Sequence, residues 1–132
     1  MSRVGWLILL FLLACGGAVH FELNIVFPDD GSDAKSYTES IVVMAIEPAD
    51  ASTCGALLDG TALPDNAGYI VESRQEVDPD ALDLVLTQVG PGRRLFFVQA
   101  LGVSGAVILH GCADLDAGGG GAEVVTVELE YI

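Results

Sequence analysis

Basic side chains are scarce in this chain: Lys and Arg together number 5, against 19 Asp and Glu in 132 residues, for a formal net charge of −14. A nucleic-acid or anionic-membrane footprint needs clustered Lys and Arg. Nucleic acid is therefore excluded as a partner. Histidines number 2, His20 and His110, and no C-x-x-C spacing accompanies them, so the donor pattern of a zinc site is missing. Ser73 and Ser104 lie in no G-x-S-x-G elbow, and the glycine run Gly118–Gly121 is not followed by the Lys and Ser/Thr of a phosphate loop. Aromatic residues make up 7%, and Trp6, Tyr69 and Tyr131 build no stacking platform. No catalytic set, resident metal or cofactor is read from these residues. A hydrocarbon-spanning run is absent too. The uncharged stretch Val4–Ala14 covers only about 16 Å as a helix, against the ~30 Å of a bilayer core.

What is present begins at the N-terminus. Arg3 is followed by the apolar stretch Val4–Ala14 and then by Leu12-Leu13-Ala14-Cys15-Gly16 at its end. A short positive segment followed by an apolar run of this length reads as a secretory signal. Leu12-Leu13-Ala14-Cys15 resembles a lipobox, the cleavage and lipidation pattern of bacterial lipoprotein precursors. The resemblance implies that residues 1–14 are a cleaved signal peptide and that Cys15 becomes the diacylglycerol-bearing first residue. It also implies attachment to the membrane through that lipid and a place in the bacterial cell envelope. The residue after the cysteine is Gly16 rather than Asp, which in diderm bacteria of the enteric type implies the outer membrane. The alternatives are an uncleaved signal anchor, with Cys15 an ordinary thiol, and a non-lipid signal cut nearby. Residues 15–18 form the lipidated N-terminus and a short tether, and residues 19–132 are expected to form one domain. Gly16, Gly17 and Ala18 give that domain a reach of only about 15 Å from the headgroups.

With Cys15 assigned to lipid, Cys54 and Cys112 remain as an even pair outside the cytoplasm, where disulfides persist. Their bond would close a long loop and stabilise by roughly 4 kcal/mol on the chain-entropy model. Two buried free thiols are the alternative.

The mature chain alternates like strands. Val19, Phe21, Leu23, Ile25 and Phe27 point one way, with His20, Glu22 and Asn24 the other. Ile41–Ile46 is apolar on both faces, as in a central strand, and Pro48 stops it. Ala34–Ser40 has room for a turn of helix. A short helix is expected at Cys54, capped by Ser52 or Thr53, with Leu57 and Leu58 facing the core and Gly60 ending it. Tyr69–Val77 reads as a weaker strand with Glu72, Arg74 and Glu76 exposed. The period of Leu82, Leu84 and Leu86 favours a strand, and Gly90-Pro91-Gly92 a turn. Leu95–Leu101 and Ala106–Cys112 form a hairpin through Gly102–Gly105. Gly118–Gly121 is read as a hairpin connection to a last strand, in which Val125, Val127, Leu129 and Tyr131 oppose Thr126, Glu128 and Glu130.

Short strands with frequent turn signals and no long helix predict an all-β fold: a single Ig-like or transthyretin-like β-sandwich of about seven strands after the N-terminal signal helix. The pattern from Leu82 to Cys112, an apolar strand, a Gly-Pro-Gly turn and a Leu/Phe/Val hairpin, resembles transthyretin-like and carboxypeptidase-regulatory-like domains. Some uncharacterised bacterial lipoproteins pair such a hairpin with two cysteines. The resemblance implies a fold and no activity.

Asp114 and Asp116 precede a glycine with the alternate carboxylates that open calcium loops, but further oxygen ligands and a correctly spaced Glu are missing. A solvated turn is expected there, with Asp114 and Asp116 a weak calcium candidate only. His110 shares a face with Ile108 and Cys112, unless a bulge at Gly111 displaces it. Arg93 and Arg94 are expected to pair with neighbouring carboxylates. The reading that follows is a non-enzymatic, lipid-anchored envelope module with a structural role or a protein partner. An envelope ligand- or carbohydrate-binding sandwich is the alternative.

Overall fold

The computed structural model describes residues 19–29, 33–48, 53–60, 69–80, 84–90, 92–117 and 122–132. Residues 1–18, and with them the signal segment, Cys15 and the tether, lie outside the described residues, as do Ser52, Leu82, Pro91 and Gly118–Gly121.

Two sheets face each other. The first, of three strands, runs in the order β4 (Leu84–Val89), β1 (Val19–Val26), β7 (Ala122–Glu128). The second, of five, runs β3 (Ile70–Val77), β2 (Ser40–Glu47), β5 (Gly92–Leu101), β6 (Val107–Ala117), β8 (Glu130–Tyr131). The fold is an all-β sandwich, with one short helix, α1 (Cys54–Leu58), and a 3-10 turn at Ala34–Tyr37.

The apolar period decides which side chains meet between the sheets. On β1, Phe21, Leu23 and Ile25 are buried and Glu22 and Asn24 exposed. Ile41, Val43 and Ala45 of β2 and Phe96, Val98 and Ala100 of β5 face them, with Leu86, Leu109, Val125 and Val127 completing the main core. The rings of Phe21 and Phe96 lie 4.8 Å apart across the two sheets in a tilted arrangement, a favourable geometry for an aromatic pair.

The other face of the five-stranded sheet carries a second, smaller core. Val42, Met44 and Ile46 of β2 and Leu95 and Phe97 of β5 are covered there by Leu57 of α1, with Leu58, Tyr69 and Val71 packed around them. This second cover explains why β2 is buried on both faces from Ile41 to Ile46. α1 forms as its residues suggest: the Thr53 hydroxyl accepts from the Ala56 N–H at 3.3 Å, and Gly60 takes φ +79° just beyond the helix end.

Several expectations are corrected. The last apolar segment is two strands, not one. β7 pairs in parallel with β1, from His20↔Ala122 to Val26↔Glu128, and the chain then crosses to the other sheet, where Glu130 and Tyr131 pair with His110 and Leu109. Leu129 is the crossing residue, buried, with its N–H donating to the Val26 carbonyl at 2.8 Å. Tyr131, expected inside, is half exposed. Because β6 and β7 belong to different sheets, they do not form a hairpin. β4 and β5 likewise lie in different sheets, with Gly92 at φ +108° starting β5.

Candidate functional site

Cys54 and Cys112 are joined in a disulfide, with Cα atoms 5.5 Å apart. The bond ties α1 to β6 and staples the second core at its margin. Cys15 lies outside the described residues.

Asp114 and Asp116 do not occupy a turn. They are strand residues of β6, paired across to Leu95 and Arg93 of β5, and both are exposed. The extended backbone sends both carboxylates to one face at a period of two, where a calcium loop would need a tight turn that converges its oxygens. Asp114 is instead held by Arg93, whose Nε and Nη2 donate to its two oxygens at 3.0 and 2.8 Å. That hydrogen bond raises the Arg93 guanidinium above its ordinary range. Among the described residues, no group of three or more His, Cys, Asp or Glu is placed to hold a metal ion.

Arg94 takes a different partner. By alternation it shares the inner face of Phe96 and Val98, and there it is paired with Glu72. Glu72 was expected on the exposed side of β3. The register of β2 and β3 shifts between Ala45↔Ser73 and Ile46↔Val71, so Glu72 is the extra residue of a bulge. A bulge rotates the side chain that it carries, and here it turns a carboxylate from the outer face to the inner one. The Gly90 N–H also donates to Glu72 Oε1 at 3.4 Å, which links the β4–β5 corner to the same pair.

His110 keeps the face of Cys112 that alternation gives it, and no bulge at Gly111 displaces it; the residue that a bulge moves is Ile108. β5 and β6 slip between Ala100↔Leu109 and Leu101↔Val107, which sets Ile108 toward the main core and leaves His110 on the outer face, opposite Gln99. Its Nε2 lies 4.0 Å from Glu130 Oε1, and its ring 6.5 Å from that of Phe97. Gly111 serves another purpose. A Cβ there would fall on the Glu128 backbone carbonyl and 2.9 Å from Val127 Cγ1, so the absent side chain is what lets β7 cross over β6. The backbone of His20 lies in β1, but its side chain is outside what is described.

Two concavities flank this framework. One, of about 400 Å³, is an acidic cleft between the 3-10 turn and the β3–β4 connection, with Asp33, Glu39, Asp78 and Asp80 around Lys35. Lys35 Nζ is 3.8 Å from Asp80. The other, of about 500 Å³, opens where the end of β7 passes over β6, between Leu58 of α1, Gly111 and Cys112 of β6, and Thr126 and Glu128 of β7. The second is the candidate site, because it lies beside the disulfide and at the head of an unpaired stretch of β6. Neither the bulge at Glu72 nor the crossing at Leu129 has a mark in the residue pattern. The one available signal was Gly111, a glycine inside a strand, which indicates a bulge or a close backbone approach.

Compared with known families and with curated proteins, the chain matches no family model and no curated relative.

Proposed function

We propose that the chain is the precursor of a lipid-anchored, non-enzymatic protein of the bacterial cell envelope, acting as a structural or protein-interaction module. The observation that carries this reading is the fate of the three cysteines. Cys54 and Cys112 are spent on each other, which leaves Cys15, at the end of Leu12-Leu13-Ala14-Cys15, for lipid. The sandwich starts almost at once, since β1 opens at Val19. Val19 sits beside Val89 and the first residues of β7. That end of the sandwich therefore faces the headgroups, with two or three acyl chains giving stable anchoring. The acidic cleft around Asp33 and Asp80 lies at the opposite end, where β2 begins and β3 finishes. Its charge is thus kept from an anionic bilayer, across more than a Debye length of about 8 Å. The likeness of Leu82–Cys112 to transthyretin-like hairpins belongs to the same reading, as a scaffold without an activity of its own. The outer membrane is part of the same reading, because Gly16 stands where the resemblance to enteric-type lipoproteins would need Asp for retention at the inner membrane.

Intact-mass measurement of the protein extracted from membranes tests the proposal. The expected product lacks residues 1–14, carries acyl mass on Cys15 and is short of two hydrogens for the disulfide; Cys15→Ser abolishes the acyl mass. An unmodified Cys15 in the mature protein, or a retained Met1, overturns it.

A further inference from the structure

We propose that the edge of β6 from Cys112 to Ala117, unpaired among the described residues, receives an extended, basic segment of a partner protein as an added strand. The proposal rests on the reading of the chain as an interaction module and gives that module its partner chemistry.

β6 is paired along its whole length with β5, from Leu101↔Val107 to Gly92↔Ala117. On its other side β8 covers only Leu109 and His110. At Gly111 the neighbouring chain departs for the other sheet, through Leu129 to Glu128. Beyond that point, among the described residues, no strand is hydrogen-bonded to the outer side of Cys112–Ala117, although β7 packs near β6 from the facing sheet. Backbone N–H and C=O groups of alternate residues on such an edge point outward, ready to pair with another extended chain. The outer edge of β3 is a poorer template, because the bulge at Glu72 breaks its spacing.

The side chains along the open edge specify what would bind. Asp114 and Asp116 are exposed on one face, while Ala113 and Leu115 on the other are packed partly against the main core. An incoming strand thus meets Asp116, and Asp114 already paired with Arg93, at alternate positions and an apolar ledge between them; a basic segment would share Asp114 with Arg93 and take Asp116 more directly. A second copy of this chain fits badly. Antiparallel self-pairing about Leu115 would set Asp114 opposite Asp116 of the copy twice over, and like charges directly opposite destabilise. The formal net charge of −14 adds to that repulsion. A segment alternating Lys or Arg with apolar residues satisfies both faces. The groove beside Leu58, Gly111 and Cys112 stands at the head of the edge and has room for the side chain that ends the segment.

The test uses the whole purified protein and synthetic peptides of about eight residues, a usual strand length. One alternates lysine with valine, one replaces lysine by glutamate, and one keeps lysine and valine but is N-methylated at alternate residues. Amide hydrogen exchange is read residue by residue by NMR. The lysine–valine peptide is expected to slow exchange in Cys112–Ala117 by about tenfold or more. The glutamate and N-methylated peptides should leave it unchanged, and Asp114→Asn with Asp116→Asn should weaken the effect about tenfold. Absence of protection, protection centred on β3, or equal protection by the N-methylated peptide (attraction by charge alone) overturns the inference. Acyl mass on Cys15 is read without these peptides, so the anchor and the edge can fail independently.

Discussion

Arg94 on β5 and Glu72 on β3 form an ion pair that reaches beneath β2, the strand between them, with side chains only 8% and 20% exposed. The pair exists because a bulge turns Glu72 inward just where alternation points Arg94 inward. Both partners are also tied to backbone, Arg94 Nη1 donating to the Arg93 carbonyl at 2.9 Å and Glu72 accepting from Gly90. Removing one partner strands the other in a poorly hydrated place. Glu72→Gln or Arg94→Met is expected to cost about 2–3 kcal/mol, below the figure for a fully buried pair because Glu72 keeps some solvent. Urea denaturation measures it. The double variant Glu72→Leu with Arg94→Met should lose less than the sum of the single changes.

Arg93 and Asp114 provide the contrast. Their bidentate contact lies on the exposed side of the sheet, where salt and water screen it. Arg93→Gln is therefore expected to leave the urea midpoint nearly in place. The sign of its pH dependence follows from the raised guanidinium. A raised group contributes its stability in full below the unfolded value and loses it only as pH climbs through the folded one. Both values are strongly alkaline, so the small difference between Arg93→Gln and the parent should stay flat from about pH 6 to about pH 9. A slope in that window would contradict the assignment.

Gly111→Ala should be costly despite its small size. The new methyl group meets the carbonyl of Glu128, which is backbone and cannot rotate away. Overpacking of this kind costs about 1–3 kcal/mol, and here it should also loosen the crossing that carries β8. Thermal unfolding gives the magnitude, and faster amide exchange at Leu129 and Tyr131 locates it.

Cys54→Ala with Cys112→Ala opens a loop spanning a sequence separation of 58. A loss of about 4 kcal/mol is expected on the chain-entropy account, a large part of the 5–15 kcal/mol typical of a domain. The loss should be accompanied by weaker exchange protection in α1, because the bond is what fastens Leu57 over Met44 and Phe97. Unchanged denaturant midpoints would show that the apolar contacts of α1 suffice alone.

Residue order by itself determined the strands and much of their burial, because side chains on an extended backbone alternate between faces whatever the strand pairs with. Phe21, Leu23 and Ile25 against Glu22 and Asn24, the doubly buried Ile41–Ile46, the capped start of α1 at Thr53 and the hairpin at Gly102–Gly105 could all be read in that way. Odd cysteine number pointed to the Cys54–Cys112 pair. What only the tertiary structure decided is how the strands are shared between two sheets. The same alternation runs unbroken through Val125, Val127 and Leu129, yet the chain changes sheets at Leu129. Period two reports which face is buried and is silent about which neighbour buries it. A bulge shifts that period by one residue without altering composition, so the inward turns of Glu72 and of Ile108 depend on pairing with β2 and β5. The open edge at Asp114 and Asp116 arises in the same manner: it exists because the C-terminal strand leaves β6 beyond Gly111, an event set by packing between sheets rather than by any local preference.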